Sequence, residues 1–343
     1  MTLLYLFTFI LLCIALNQLF RVIDLSRLLK TDKEFVATES DNRMNARLLM
    51  LFLFAFFAFC LGEVFDYGYK ALPKSASEHG DKIDALMNAN LWLCAVIFVI
   101  TNSFLFYFAF KYYGRKDNKA SFISHNNKLE MLWTIIPAIA LAFIIIFGLK
   151  YWNEIMGRSE DPKAIKIELY AKQFDWTARY TGADNQFGID DYTQIDGSNA
   201  VGLDTTDKRC FDDILVKNEF HIPIGREVEF QFRSRDVIHS AFMPHFRAQM
   251  NCVPGQITNF RFTPKFTTAQ MREDDNVKIN IAEINGVRAA RGEDPVEFDY
   301  VLLCNKICGA SHYNMQMKIV VDTEEDYNKW LAKQKAFKAV AQK

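Results

Sequence analysis

Leu91 to Phe110 reads LWLCAVIFVITNSFLFYFAF, without one charged side chain. A helix of that length crosses a hydrocarbon core of roughly 30 Å, where its backbone must be satisfied without water. Met131 to Gly148 (MLWTIIPAIALAFIIIFG) is a second such run. Leu48 to Leu61 (LLMLFLFAFFAFCL) stays apolar to Phe65, broken only by Glu63, and Thr2 to Phe20 is a fourth. A soluble core helix would show a polar face at period 3.6, and these show none. Four transmembrane helices are expected. Thr2–Phe20 has no positive n-region and no small-x-small site before Arg21, so a retained span is preferred to a cleaved signal peptide.

Charge between the spans sets their direction. Segment 21–47 carries Arg21, Arg27, Lys30, Lys33, Arg43 and Arg47, and segment 111–128 carries Lys111, Arg115, Lys116, Lys119 and Lys128. In segment 67–90, Lys70, Lys74 and Lys82 are balanced by acids. By the positive-inside rule the first two segments face the cytoplasm. Everything after Lys150 is then extracytoplasmic, and the expected location is a bacterial inner membrane. The expected division is two extra N-terminal spans (1–66), an extracytoplasmic linker (67–90), a transmembrane hairpin (91–150), a polar domain (151–322) and a C-terminal helix (323–343). With 343 residues the chain has room for a membrane part and one domain. Its net charge of −1 gives no bulk pull on nucleic acid.

Beyond the spans the pattern changes. AIKIELYAKQFDWTARY, EFHIPIGREVEFQFRS, VPGQITNFRFTP, FDYVLLCNKICG and MQMKIVVD are short, alternating and rich in β-branched and aromatic residues. That predicts a β-sandwich or barrel. Segments near 182–215 and 265–297 are polar and read as long loops or inserts. The terminal EEDYNKWLAKQKAFKAVAQK opens with acids and closes with lysines, which suits a helix dipole.

Cys13, Cys60 and Cys94 lie in apolar runs and read as small buried hydrophobes. Cys210 and Cys252 stand alone, and a disulfide between them stays open. Cys304 and Cys308 are the paired thiols, in CNKICGASHYNM with His312 and Met315. The stretch leaves one strand and enters another. Thiolate, imidazole and thioether together select soft or borderline metals, copper above all; zinc rarely takes Met. Two cysteines allow both thiolates to bridge two coppers, which needs a second imidazole from elsewhere. His239, in RSRDVIHSAFMP, is the candidate, while His79, His125, His221 and His245 read as ordinary histidines. Outside the cytosol such thiols compete with disulfide formation, and bound metal protects them.

HNNKLEMLWTIIPA, AKQFDWTARY, DVIHSAFMP with NCVPG, and CNKICGASHYNM follow one another in an order that resembles subunit II of the haem–copper cytochrome c oxidases. The resemblance runs from about residue 90 to the C-terminal helix. The first two spans and the two inserts lie outside it. It implies an all-β, cupredoxin-like barrel after the transmembrane helices, and a dinuclear copper A centre. Cys304 and Cys308 match the bridging thiolates, His239 and His312 the imidazoles, and Met315 the weak thioether ligand. Lys306 matches a residue that gives its backbone carbonyl, which does not depend on the side chain. In the family that residue is usually Glu and helps bind Mg²⁺ at the boundary with subunit I. An ammonium has no acceptor to offer, so the Mg site is expected to be absent or rebuilt here.

The resemblance further implies that electrons arrive through an aromatic of the QFDW segment. Phe174 stands where the family has Trp, and Trp176 follows two residues on. Glu130 matches a glutamate at the mouth of a proton-uptake channel of subunit I. The implied partners are subunits I and III, the lipid bilayer, and cytochrome c or a membrane-held cytochrome c domain, as in a supercomplex; nucleic acid is not among them. The implied activity is electron transfer from cytochrome c to haem in subunit I, where oxygen is reduced to water and protons are pumped. A copper-free quinol oxidase subunit II lacks the ligand set found here. A membrane-tethered copper-binding protein has no use for the Glu130 segment. Nitrous oxide reductase carries a large propeller for which this chain has no room.

Overall fold

The computed structural model describes residues 2–30, 37–119 and 121–337. Four helices come first: α1 (Thr2–Lys30), α2 (Glu39–Tyr67), α3 (Glu78–Lys111) and α4 (Asn127–Met156). Among the described residues, α2, α3 and α4 are long and apolar enough to cross a membrane. α1 forms over the expected first span, but its side chains at 2–7, 10 and 27–30 lie outside the described residues.

The chain forms two compact units. One holds α1, α2 and α3 from Ala95 onward. Thr38 caps α2 and exchanges hydrogen bonds with Asp41 in a capping box. Within this unit α2 and α3 run antiparallel. Phe52 meets Phe106 at 5.7 Å between ring centroids, Phe56 meets Phe98 at 5.8 Å, and Asn42 Nδ2 donates to Gly114 O at 3.2 Å. Most other large apolar side chains of α2 point outward, which is costly in water and natural in lipid.

The other unit holds the start of α3, α4 and the polar domain. Its strands are β1 (Ile165–Lys172), β2 (Asp175–Tyr180), β3 (Ile214–Val216), β4 (Glu219–Pro223), β5 (Val228–Ser234), β6 (His239–Met243), β7 (Ala248–Cys252), β8 (Thr258–Phe262), β9 (Tyr300–Cys304) and β10 (Gln316–Asp322). They make two five-stranded sheets, ordered β3-β2-β1-β5-β8 and β4-β10-β9-β6-β7. The pairs β1·β5 and β4·β10 are parallel and the rest antiparallel. Period-2 alternation puts Ile167, Leu169, Phe230 and Phe232 of one sheet, and Leu302, Ile319 and Val321 of the other, into the core. Each such side chain contributes about 1.5–3 kcal/mol.

The sandwich is tied to its helices through Arg247. Its guanidinium makes paired bonds to Asp84 of α3 (2.7 and 2.8 Å) and donates to Pro73 O at 2.6 Å. Arg261 Nε donates to Glu154 O of α4 at 2.7 Å.

The structure gives three expectations their form. Of the loop or insert expected at 265–297, it makes a helical insert, α5 (Thr268–Arg272) and α6 (Asp275–Ala290), capped by Thr267 and Asp274. Segment 182–215 is irregular but not loose. Its Val201, Leu203 and Cys210 form a second small core with Tyr170 and Phe337. The C-terminal helix, α7 (Glu324–Leu331), is shorter than 323–343; the chain then turns and buries Phe337, and 338–343 lie outside the described residues. Cys210 and Cys252 are both free, each buried in a different core, which closes the disulfide alternative.

Candidate metal centre

The alternation that builds the core also delivers the ligands. Along β9 the inward series is Tyr300, Leu302, Cys304; along β6 it is His239, Ala241, Met243. Ala241 pairs with Cys304 across the two strands, which sets the imidazole beside the thiol. The loop after Cys304 folds back at once. Cys304 N donates to Met315 O at 3.0 Å, and a 3₁₀ turn over His312–Asn314 brings Met315 inward. Asn305 N donates to Ser240 O at 2.9 Å and ties the loop to β6.

Two thiols lie at the centre, with Cys304 Sγ 3.9 Å from Cys308 Sγ. Cys304 Sγ is 3.7 Å from His239 Nδ1 and 3.3 Å from Lys306 O. Cys308 Sγ is 3.6 Å from His312 Nδ1 and 3.9 Å from Met315 Sδ. The donors therefore divide into two matched sets, each with one imidazole, one weak donor and a share of both thiols. His239 is fully buried and Met315 nearly so. Among the described residues, His239, Cys304 and Cys308 are the one group of His, Cys, Asp or Glu side chains whose donor atoms crowd within 4.8 Å. Two soft thiolates and two imidazoles suit copper, and the even division suits two ions.

Further groups hold this set in place. His239 Nε2 lies 2.8 Å from Asp236 Oδ1, which turns Nδ1 toward the sulfur. Burial works against the Asp236 charge, but Gln173 N–H and His239 outweigh it and hold the carboxyl below its ordinary value. Gln173 N donates to the other Asp236 oxygen at 2.7 Å, and Gln173 Nε2 donates to Cys308 O at 2.5 Å. One glutamine thus joins the His239 side to the Cys308 side. Sequence reasoning missed Asp236 and Gln173. An acid three residues before a strand-leading histidine was the available signal. Burial, with the neighbouring Cys304 charge, pushes the Cys308 thiol up to about 11, so metal must displace protons as it binds.

Lys306 is exposed, its carbonyl turned to the thiols. Phe174 is half-buried against the loop, and a Cβ added at Gly309 would stand 2.8 Å from its Cζ. Trp176 is fully buried, edge-on to His239 at 6.3 Å, and offers no surface to a donor. Glu130 lies exposed in the first turn of α4. The remaining histidines sit elsewhere: His221, for example, bonds Asp322 and stacks on Trp330 at 4.2 Å.

Gly309 has φ +147°, a conformation unfavourable for any side chain. Gly309→Ala is expected to cost about 1–3 kcal/mol through strain and the clash with Phe174. A lowered melting temperature and a shifted metal absorption band check it.

Two family models match the chain: the transmembrane domain of cytochrome c oxidase subunit II over residues 66–151, and its periplasmic domain over 165–269. The second match stops within the α5 insert, before the thiol loop. An alternative cytochrome c oxidase subunit 2 from Bradyrhizobium diazoefficiens is 30% identical over 256 residues, covering 74% of this chain and 81% of its own. Cytochrome c oxidase subunit 2 of Thermostichus vulcanus is 25% identical over 283 residues, covering 76% and 77%. The solved periplasmic domain of subunit II of cytochrome oxidase from Bradyrhizobium japonicum aligns over 50% of this chain and 94% of its own, with TM-score 0.30 and 19% identity. The β-sandwich is an extracytoplasmic domain on a membrane protein, and the chain belongs to the cytochrome c oxidase subunit II family.

Proposed function

We propose that this chain holds a dinuclear copper A centre and receives electrons from a cytochrome c for its haem–copper oxidase complex. The observation that carries this is the pair of thiols 3.9 Å apart, each with its own imidazole on the far side. Cys304 and Cys308 would hold both ions, with His239 and the Lys306 carbonyl on one side and His312 and Met315 on the other. Copper held there would supply one-electron transfer. The protein keeps the site dry through His239, Met315 and Trp176, and fixes the His239 ring through Asp236.

Ile307 and Tyr313 stand almost fully exposed on the loop, and Phe174 rests against it. This apolar rim is the face on which a donor would dock, with Phe174 as the first aromatic reached. Lys306 stands exposed on this loop beside the apolar side chains, so docking is read as leaning little on steering by acids. A donor held by the membrane or by a neighbouring subunit suits it. Electrons then pass to haem in subunit I, where oxygen is reduced and protons are pumped. The topology proposed is four spans, α1 included, in a bacterial inner membrane, with the sandwich outside. The Lys306 ammonium cannot replace the carboxylate of the family's Mg site, so this chain contributes no side chain to Mg²⁺ there.

Metal analysis and EPR of the purified complex test the reading. The expected result is two coppers per copy of this chain beyond the copper that accompanies haem in subunit I, the hyperfine pattern of one electron shared by two copper nuclei, and no Mg²⁺ that depends on residue 306. A single-nucleus copper pattern would sink the dinuclear assignment. Glu130 is assigned the mouth of the proton path. Glu130→Gln should slow reduction of the binuclear centre of subunit I about ten-fold, the low end of what a steering charge adds to an arrival rate, with the copper spectrum unchanged. Unaltered kinetics would refute that role.

A further inference from the structure

Arg43 and Arg47 stand one turn apart on α2, and Lys111 and Arg115 lie at and just beyond the end of α3. With Tyr107 and Tyr113 they line a cleft of about 280 Å³. The cleft is built, not incidental: the Phe52–Phe106 contact and the Asn42–Gly114 bond hold its two walls together. Like charges at i and i+4 repel, and here two more cations face them. Asp41, the acid next to Arg43, turns its carboxylate to Thr38 at 2.7 Å. Among the described residues, no carboxylate comes within ion-pair distance of any of the four bases, whereas Arg226, Arg247 and Arg272 of the sandwich each have one. Four unneutralised cations converging on one cleft call for an anion.

The cleft's position names the anion. Both walls are ends of membrane-spanning helices, on the side that the charge pattern assigns to the cytoplasm. Tyr107 and Tyr113 hold cationic heads at the boundary: Lys111 Nζ is 5.5 Å from the Tyr107 ring and the Arg115 guanidinium 4.3 Å from that of Tyr113. Just below, Leu51 and Phe54 of α2 are bare and would lie against acyl chains. Guanidinium forks match phosphate oxygens in pairs. We propose that this cleft seats the phosphodiester headgroup of an anionic phospholipid of the cytoplasmic leaflet, so that the α2 span joins the hairpin through a bound lipid as well as through phenylalanines.

The test uses the purified complex in phosphatidylcholine vesicles with traces of spin-labelled lipid. Wild type should immobilise labelled phosphatidylglycerol in preference to labelled phosphatidylcholine. Each base near the surface is worth roughly five-fold in association, so Arg43→Gln with Arg47→Gln should weaken the preferred class roughly 25-fold. Lys116→Gln with Lys119→Gln, outside the cleft, should leave it unchanged. Retained helix circular dichroism and copper absorption show that the variants are folded. Equal preference in both variants would overturn the site. Loss of the preference to millimolar inorganic phosphate would make it a free-anion site. Loss of a neighbouring subunit from the Arg43/Arg47 variant, with lipid unchanged, would give the cleft to an acidic protein segment.

Discussion

Cys308→Ser is expected to abolish the shared-electron EPR pattern of the proposed copper pair and to lower cytochrome c oxidation by more than about a hundred-fold, beyond the 10–100-fold range of outer-shell changes at metal sites. The size follows from position. Cys308 Sγ is the atom on which Cys304, His312 and Met315 converge, at 3.9, 3.6 and 3.9 Å. A serine oxygen is harder than sulfur and bridges copper poorly. What remains, Cys304 with His239, suits a single ion. Purified variant complex with intact haem spectra, assayed for copper content, EPR and turnover, checks this. Retention of the two-nucleus pattern would remove Cys308 from the centre.

Arg179→Met is expected to destabilise the extracytoplasmic domain by about 3–5 kcal/mol, the cost of breaking a buried charge pair from one side. Arg179 and Asp213 are both fully buried, 2.6 Å apart. The same guanidinium donates to Gly188 O at 2.7 Å and approaches Glu168 at 3.8 Å. Arg233 completes the cluster with bonds to Glu168 and Asp190. Through Gly188, Asp190 and Asp213 this network fastens segment 182–215 to the outer face of the β1–β2 sheet. The deficit has a pH signature. Burial raises Asp213 to about 6 against the pull of Arg179. A carboxyl raised above its unfolded value supports folding fully only below the model-peptide value of 3.8, and that support is lost as pH rises through the folded value. Without the guanidinium the rise is larger, so the variant's deficit should be greater at about pH 8 than at about pH 5. Thermal unfolding of variant and parent at both pH values measures it, and Asp213→Leu in the variant should restore part of the loss.

The two parts of the chain were not equally legible. The spans show because a bilayer admits almost no charge, so a charge-free run is nearly unambiguous. The ligands show because Cys304, Cys308, His312 and Met315 fall within one twelve-residue loop. His239 was reachable because strand alternation carries a side chain inward at a strand's first residue. The helical insert was missed for a physical reason. α6 (DNVKINIAEINGVRAA) has a short apolar stripe, Val277, Ile281 and Ile284, but the alternation Val277, Ile279, Ile281 masks it, and what starts the helix is a cap, Asp274 bonding Asn276 and Val277. The Thr267–Gln270 capping box of α5 was a readable signal. Arg179 was hidden differently. Alternation along DWTARY puts it on the outer face, where an arginine is ordinarily solvated, and only the folded insert buries it. Asp236 had a signal in its place three residues before His239; Gln173 acts through backbone contacts that no spacing rule encodes.

The place of β9 between β6 and β10 has a consequence for biogenesis. As the chain emerges from the membrane, His239 arrives on a contiguous hairpin with β7. The thiols follow only after the α5–α6 segment has been delivered. Their loop is completed by β10, which lies beside β4, a strand made far earlier. Closing so long a loop carries an entropic cost. The donor set proposed for copper is therefore complete only once the chain has been delivered as far as β10.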